Sequence, residues 1–183
     1  SLNGSPDTIP CHEPVGVVEE VGSAVASVKP GDRIVVYQHV GCETCRYCRR
    51  GDVKFCDERK SYGTGHNGSA ADYVLAPEFN CIKLEDSLSD ERAVVLACVG
   101  GTAYQSIRKL DAAGGDTLAI FGLGPVGLSG VIFGAARGAR IIGIDPVKER
   151  RDLAVVMGAD ELIDPTEDDP VEAIMDLTDG VGA

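Results

Sequence analysis

Thr117-Leu118-Ala119-Ile120-Phe121-Gly122-Leu123-Gly124-Pro125-Val126-Gly127 is the stretch on which the fold of this 183-residue chain turns. A short β-branched and apolar run enters three glycines spaced Gly-x-Gly-x-x-Gly, and a helical pattern over 126–137 follows. A second strand pattern, Arg140 to Ile144, ends at Asp145. Strand, glycine turn, helix and strand in that order predict a βαβ unit. Alone, three glycines would equally mark an ordinary turn; between a strand and a helix they predict a phosphate cradle. Gly122 permits the tight turn, Gly124 lets the backbone approach a pyrophosphate, and Gly127 lets the helix lie close on the strand. Gly122, Leu123, Gly124, Pro125, Val126 and Gly127 are therefore candidate contacts of a dinucleotide, whose phosphates would meet unpaired N–H groups at the helix start. Asp145, 18 residues past Gly127, suits the adenosine ribose hydroxyls and would repel a 2′-phosphate, which favours NAD over NADP. Arg150 is a further candidate cofactor contact; with Lys148 and Arg151 it could soften that preference or simply form the exposed face of the next helix.

Downstream the alternation repeats, with a helix over 148–157, a strand over 161–163 and a helix over 171–177. That amounts to half of a doubly wound sheet. Upstream the pattern is different. Val15 to Val21 and Arg33 to Tyr37 are short β-branched runs, with the turn Lys29-Pro30-Gly31-Asp32 just before the second. Further strands are expected at Ala71 to Leu75 and Cys81 to Leu84, which together predict a compact β-barrel. Helical signals begin at Ser89, a candidate cap for a segment running toward Cys98, and continue over 102–110. The expected organisation is a β-barrel domain over 1–110 and an α/β dinucleotide-binding domain over 111–183. Charge divides the same way: residues 1–110 carry 12 basic and 15 acidic groups, and residues 111–183 carry 5 and 14.

A second signal lies inside the β-rich half. Cys42, Cys45, Cys48 and Cys56 are spaced Cys-x2-Cys-x2-Cys-x7-Cys. Two short gaps let a turn wrap one centre while a longer loop delivers the fourth thiolate, so a structural zinc lobe over 42–56 is expected. Four thiolates fill a tetrahedral shell and leave no position for a substrate. An iron–sulfur cluster fits less well, because the last gap is seven residues and Asp57 follows Cys56 in place of proline. Two disulfides are the other alternative, but seven cysteines with no signal-like opening point to a reducing compartment.

The 44% hydrophobic content is ample for packed cores, and no apolar run reaches membrane-spanning length. A net charge of −12 opposes binding to a phosphate backbone, so neither nucleic acid nor membrane is an expected partner.

Several pieces now combine into a resemblance. His12-Glu13-Pro14-Val15-Gly16, Val18-Glu19-Glu20-Val21-Gly22, Gly31-Asp32-Arg33-Ile34, the cysteine window, Leu96-Ala97-Cys98, Gly101-Thr102-Ala103-Tyr104 and the glycine loop occur in one order. From Ile9 to Ala183 the chain resembles the zinc-dependent alcohol dehydrogenases of the medium-chain dehydrogenase/reductase superfamily. The resemblance implies a partial GroES-like catalytic domain followed by the first half of a Rossmann NAD-binding domain. It implies a catalytic zinc held by an upstream cysteine, a histidine and a later cysteine or glutamate. His12 and Cys98 fall at the last two positions, with Glu13 as a carboxylate beside the metal. By themselves His12 would read as a packed or surface residue and Cys98 as a small buried apolar group.

The upstream cysteine and the first hydroxyl of the proton relay would precede Ser1. The chain is thus expected to lack its N-terminal start and C-terminal part, and to be inactive alone. The implied activity is hydride transfer between a primary or secondary alcohol and NAD, giving an aldehyde or ketone, in a cytoplasmic homodimer or homotetramer. Cysteine instead of glutamate at position 98 favours a simple alcohol over a sugar alcohol. A polyol or amino-alcohol dehydrogenase and a non-catalytic, zinc-stabilised NAD-binding sensor stay open. One departure stands out: Cys11 occupies the family's usual glycine position, where it could crowd the site, be buried harmlessly or offer a substitute ligand. His39 and His66 match no ligand position and read as loop or surface groups, and Cys81 as core.

Overall fold

Apolar strands need partners and covered faces, and the computed structural model, which describes residues 7–183, supplies them in two compact units that meet in sequence between Cys98 and Val99. The first unit contains strands β1 (Val15–Val17), β2 (Arg33–Val36), β3 (His39–Val40), β4 (Lys60–Ser61) and β5 (Cys81–Lys83), and helix α1 (Asp90–Ala93). Among the described residues the barrel consists of an antiparallel sheet in the order β1–β2–β5 and the antiparallel pair β3–β4. Val18, Val28, Ile34, Val36 and Tyr62 form its core. The turn expected before β2 is closed by Asp32, which accepts from Lys29 N at 2.9 Å and meets Lys83 Nζ on β5 at 2.8 Å.

Two expectations for this unit need correcting. Ala71 and Asp72 form a bend, Tyr73 to Leu75 has no regular structure, and among the described residues the segment pairs with no strand; the backbone bonds to Pro10 and Cys11 end at Ala70, and Leu75 is 93% exposed. Strand propensity describes a residue's fit to a pleated surface and cannot provide the neighbouring strand. The helix expected to run from Ser89 toward Cys98 has α geometry only to Ala93, and Val94–Leu96 continues as a 3-10 turn. Two β-branched residues in succession, Val94 and Val95, disfavour further α-helix there.

The second unit contains α2 (Val99–Leu110), β6 (Thr117–Phe121), α3 (Pro125–Ala136), β7 (Arg140–Ile144), α4 (Lys148–Val156), β8 (Glu161–Ile163) and α5 (Pro170–Leu177). The sequence reading ends the first domain at 110, yet α2 groups with the second unit. Its buried Ala103 and Ile107 form an inner stripe, and Tyr104 meets Phe133 of α3 edge-on at 5.5 Å between ring centroids. The sheet is parallel in the order β6–β7–β8.

Strand β7 is buried on both faces, as a parallel strand covered by helices requires. Ile141 joins Leu123, Val131 and Ala154 on one side, while Ile142 and Ile144 join Ile163 and Ile174 on the other. Pro125 at the start of α3 fits the first helical turn, where its missing N–H costs no intrahelical bond. Asp169 caps α5 by accepting from Val171 N at 2.9 Å and Glu172 N at 3.1 Å, a contribution of roughly 1 kcal/mol. Among the described residues, no helix is long and apolar enough to cross a membrane.

Candidate functional site

The cysteine window folds as two short 3-10 turns, Cys48–Arg50 and Val53–Phe55, joined through Gly51 in a left-handed conformation. This path brings the sulfurs of Cys42, Cys45, Cys48 and Cys56 within 4.8 Å of one another, and all four are free thiols. A tetrahedron with Zn–S bonds of about 2.3 Å separates its sulfurs by about 3.8 Å, so the donor set fits zinc in number, element and spacing. Backbone nitrogens point at the sulfurs, Cys45 N to Cys42 at 3.4 Å and Cys48 N to Cys45 at 3.5 Å. The Thr44 hydroxyl and then the backbone N–H groups of Cys45 and Thr44 bring the Cys42 thiol down to about 6. Desolvation, followed by the adjoining Cys45 thiol, pushes Cys48 up to about 12. Sulfurs this close cannot all ionise without a cation among them.

The second cluster gathers residues far apart in sequence. His12 and Glu13 lie on the approach to β1, and Cys98 lies between the Val94–Leu96 turn and α2. One ligand atom from each falls within 4.8 Å of the others, with His12 Nε2 4.0 Å from Glu13 Oε1. A nitrogen, a carboxylate oxygen and a sulfur, all half-buried, form a donor set that zinc accepts.

Cys11 is outside both clusters. It is exposed and adopts φ +77°, the left-handed region that favours glycine, so harmless burial does not describe it. Its thiol is lowered by the Ser69 hydroxyl and the Glu13 backbone N–H.

Two nearby residues, Gln38 and Asn80, have no place in the sequence reading, and a third, His39, is placed differently from its expectation. Gln38, between β2 and β3, donates from Nε2 to Cys98 Sγ at 3.2 Å. His39, read as a loop or surface group, is half-buried in β3; its Nδ1 lies 2.8 Å from Ser61 Oγ and its ring meets Tyr37 edge-on. Burial, then the positive charge of Arg59, lowers its pKa. Asn80 is fully buried and donates to the carbonyls of Tyr37 and His39 at 2.6 and 2.8 Å. The available signal was the polar pair Gln38-His39 interrupting an apolar run just before the first window cysteine. His66 is an exposed loop residue, and Cys81 is half-buried on β5 against the barrel core.

In the second unit β6 enters Gly122, whose φ of +86° makes the turn, and Gly124 then caps α3. A Cβ on Gly127 would collide with the Gly122 carbonyl oxygen, so this glycine is required by close packing of helix on turn. Asp145, 2% exposed at the end of β7, accepts from Leu123 N at 2.7 Å and Val147 N at 2.8 Å. Arg150 approaches the same carboxylate at 3.5 Å, and Arg151 donates to the Asp145 carbonyl at 2.6 Å. Burial pushes the Asp145 carboxyl up, but the two N–H groups and Arg150 outweigh it and leave its pKa below the usual range. The turn is open on its outer side, where a Cβ on Gly122 or Gly124 would meet nothing; a phosphate cradle has this form.

Comparison with known proteins agrees with these two halves. The alcohol dehydrogenase GroES-like domain family matches residues 2–86, and the zinc-binding dehydrogenase family matches residues 125–183. An alcohol dehydrogenase of Geobacillus stearothermophilus is 35% identical over 96% of the chain and 52% of its own length. An L-threonine 3-dehydrogenase of Pyrococcus abyssi is 36% identical over 97% of the chain and 51% of its own length. Among solved structures, the alcohol dehydrogenase TADH from Thermus sp. ATN1 superposes with a TM-score of 0.91 at 34% identity, covering 97% of this chain and 53% of that one. The chain spans about half the length of the curated relatives it matches. Its partial GroES-like unit, its half-Rossmann unit and these matches together place the chain in the zinc-dependent alcohol dehydrogenase family of the medium-chain dehydrogenase/reductases.

Proposed function

We propose that the protein oxidises a primary or secondary alcohol to an aldehyde or ketone with NAD as hydride acceptor, or runs the reverse reaction. The observation that carries this reading is the convergence of His12, Glu13 and Cys98 in a chain that also holds an open glycine turn backed by Asp145. His12 and Cys98 would hold a catalytic zinc with Glu13 beside it, while Cys42, Cys45, Cys48 and Cys56 would hold a structural one. A zinc ion at the His12–Glu13–Cys98 cluster would supply a Lewis acid that lowers the pKa of an alcohol. The chain's own residues bind and orient. The turn from Gly122 to Gly127 would seat the pyrophosphate on the start of α3, and Asp145 with Arg150 would bound the adenosine ribose. Asp145 disfavours a 2′-phosphate, which supports NAD over NADP. The reading extends to a cytoplasmic homodimer or homotetramer acting on a small-molecule substrate.

A second reading is an amino-alcohol dehydrogenase, favoured by the relatives named L-threonine 3-dehydrogenase, one of which matches 97% of the chain against 96% for an alcohol dehydrogenase. A third is a zinc-stabilised NAD-binding sensor. Zinc analysis together with NADH formation on simple alcohols, polyols and L-threonine separates the three. In a subunit extended to the length of its relatives, two zinc ions with turnover of a simple alcohol support the proposal, and turnover of L-threonine alone moves it to the second reading. One zinc with NAD binding and no turnover favours the sensor.

A further inference from the structure

Asn80 is buried completely, yet its Oδ1 has no hydrogen-bond partner among the described residues. An orphaned buried acceptor costs on the order of 1–3 kcal/mol, so the amide's presence calls for a compensating role. That role is visible in its other contacts. Asn80 Nδ2 donates to both the Tyr37 and the His39 carbonyl, and the Asn80 carbonyl accepts from Tyr37 N at 2.8 Å. Three hydrogen bonds thus clamp the backbone on either side of Gln38. Clamped in this way, Gln38 reaches the Cys98 sulfur with its carboxamide N–H at 3.2 Å.

We infer that Gln38 is a positioning residue for the His12–Glu13–Cys98 metal centre: its N–H aims the Cys98 sulfur at the ion, and Asn80 holds Gln38 in place. This inference rests on the metal reading of that cluster. A hydrogen bond to a ligand atom restricts its rotamer and tunes its donor strength, and losing such a bond typically weakens metal binding 10–100-fold. The Gln38 donor reaches Cys98 from another part of the unit and so ties the ligand sulfur to the clamped backbone around residue 38.

Cadmium-113 NMR of the 183-residue chain tests this directly, because a four-sulfur shell and a mixed sulfur–nitrogen–oxygen shell resonate apart. Gln38→Met keeps the side chain's length and removes the donor; Gln38→Lys returns an N–H. The expected result is that Gln38→Met shifts the mixed-shell resonance and weakens cadmium binding there 10–100-fold, while the four-sulfur resonance stays put and reports an intact fold. Gln38→Lys recovers most of the affinity. A mixed-shell resonance and affinity that ignore Gln38→Met overturn the inference and leave the metal reading standing. Wild-type chain showing only the four-sulfur resonance overturns the metal reading and the inference with it.

Discussion

Asp145 Oδ2 accepts a hydrogen bond from the backbone nitrogen of Leu123 at 2.7 Å, so the carboxylate ending β7 is tied to the glycine turn that leaves β6. With Val147 N on its other oxygen, the side chain sets the shape of the turn before any ligand arrives. A residue read from sequence as a ribose acceptor is therefore also a structural brace.

Asp145→Asn cannot accept from both nitrogens, because its amide NH2 must face one of two N–H groups. We expect it to lower unfolding free energy by about 1–3 kcal/mol in urea titrations and to weaken NAD binding measured by calorimetry. The wild-type carboxyl has a depressed pKa in the folded state. Its contribution is present above the unfolded value near 4 and is lost as pH falls through the folded one. The stability difference between wild type and Asp145→Asn should thus be constant from about pH 7 to 5 and shrink below about pH 4.

Gly127→Ala places a methyl group against the Gly122 carbonyl oxygen, between two backbones that cannot swing aside as a side chain can. The expected cost is about 2–3 kcal/mol in denaturant unfolding, with loss of NAD binding because the turn opens. Gly124→Ala is the contrast, since its methyl meets open space. It should fold with near wild-type stability and weaken only the cofactor.

Cys11→Gly relieves a left-handed backbone conformation that disfavours any side chain. Relief of roughly 1–2 kcal/mol exceeds the added chain entropy of glycine, roughly 0.4–1 kcal/mol. Thermal unfolding should show a small gain, while zinc content measured by plasma emission stays unchanged, because Cys11 lies outside both donor clusters. A fall in zinc would return it to the list of ligands.

Cys48→Ser removes one sulfur from the four-thiolate lobe. Elemental analysis should find one zinc fewer per chain, and limited proteolysis should cut within 42–60, where two 3-10 turns have few interior contacts of their own. Prolonged chelation of the wild type should produce the same cleavage pattern.

Local signals were legible in the chain and tertiary ones were not. The glycine turn and the cysteine window each confine their chemistry to one turn of backbone, so spacing alone defines them. His12 and Cys98 needed the family resemblance, because nothing in either stretch announces that the fold brings them together. Gln38 and Asn80 escaped notice, and His39 read as a loop or surface group, for the same reason: their significance lies in Cys98, the Tyr37–His39 carbonyls and Ser61, all distant in sequence. Ala71 to Leu75 shows the opposite failure, a segment with strand composition that has no strand beside it among the described residues.

The two-sided burial of β7 has a kinetic meaning. Its amides, from Ile141 to Ile144, can reach solvent only when both layers of helices leave the sheet, whereas the cysteine lobe opens by releasing a few turn contacts. In deuterium exchange β7 should therefore be the last part of its unit to label, marking the cooperative opening of that unit, and the lobe should label early unless metal is bound.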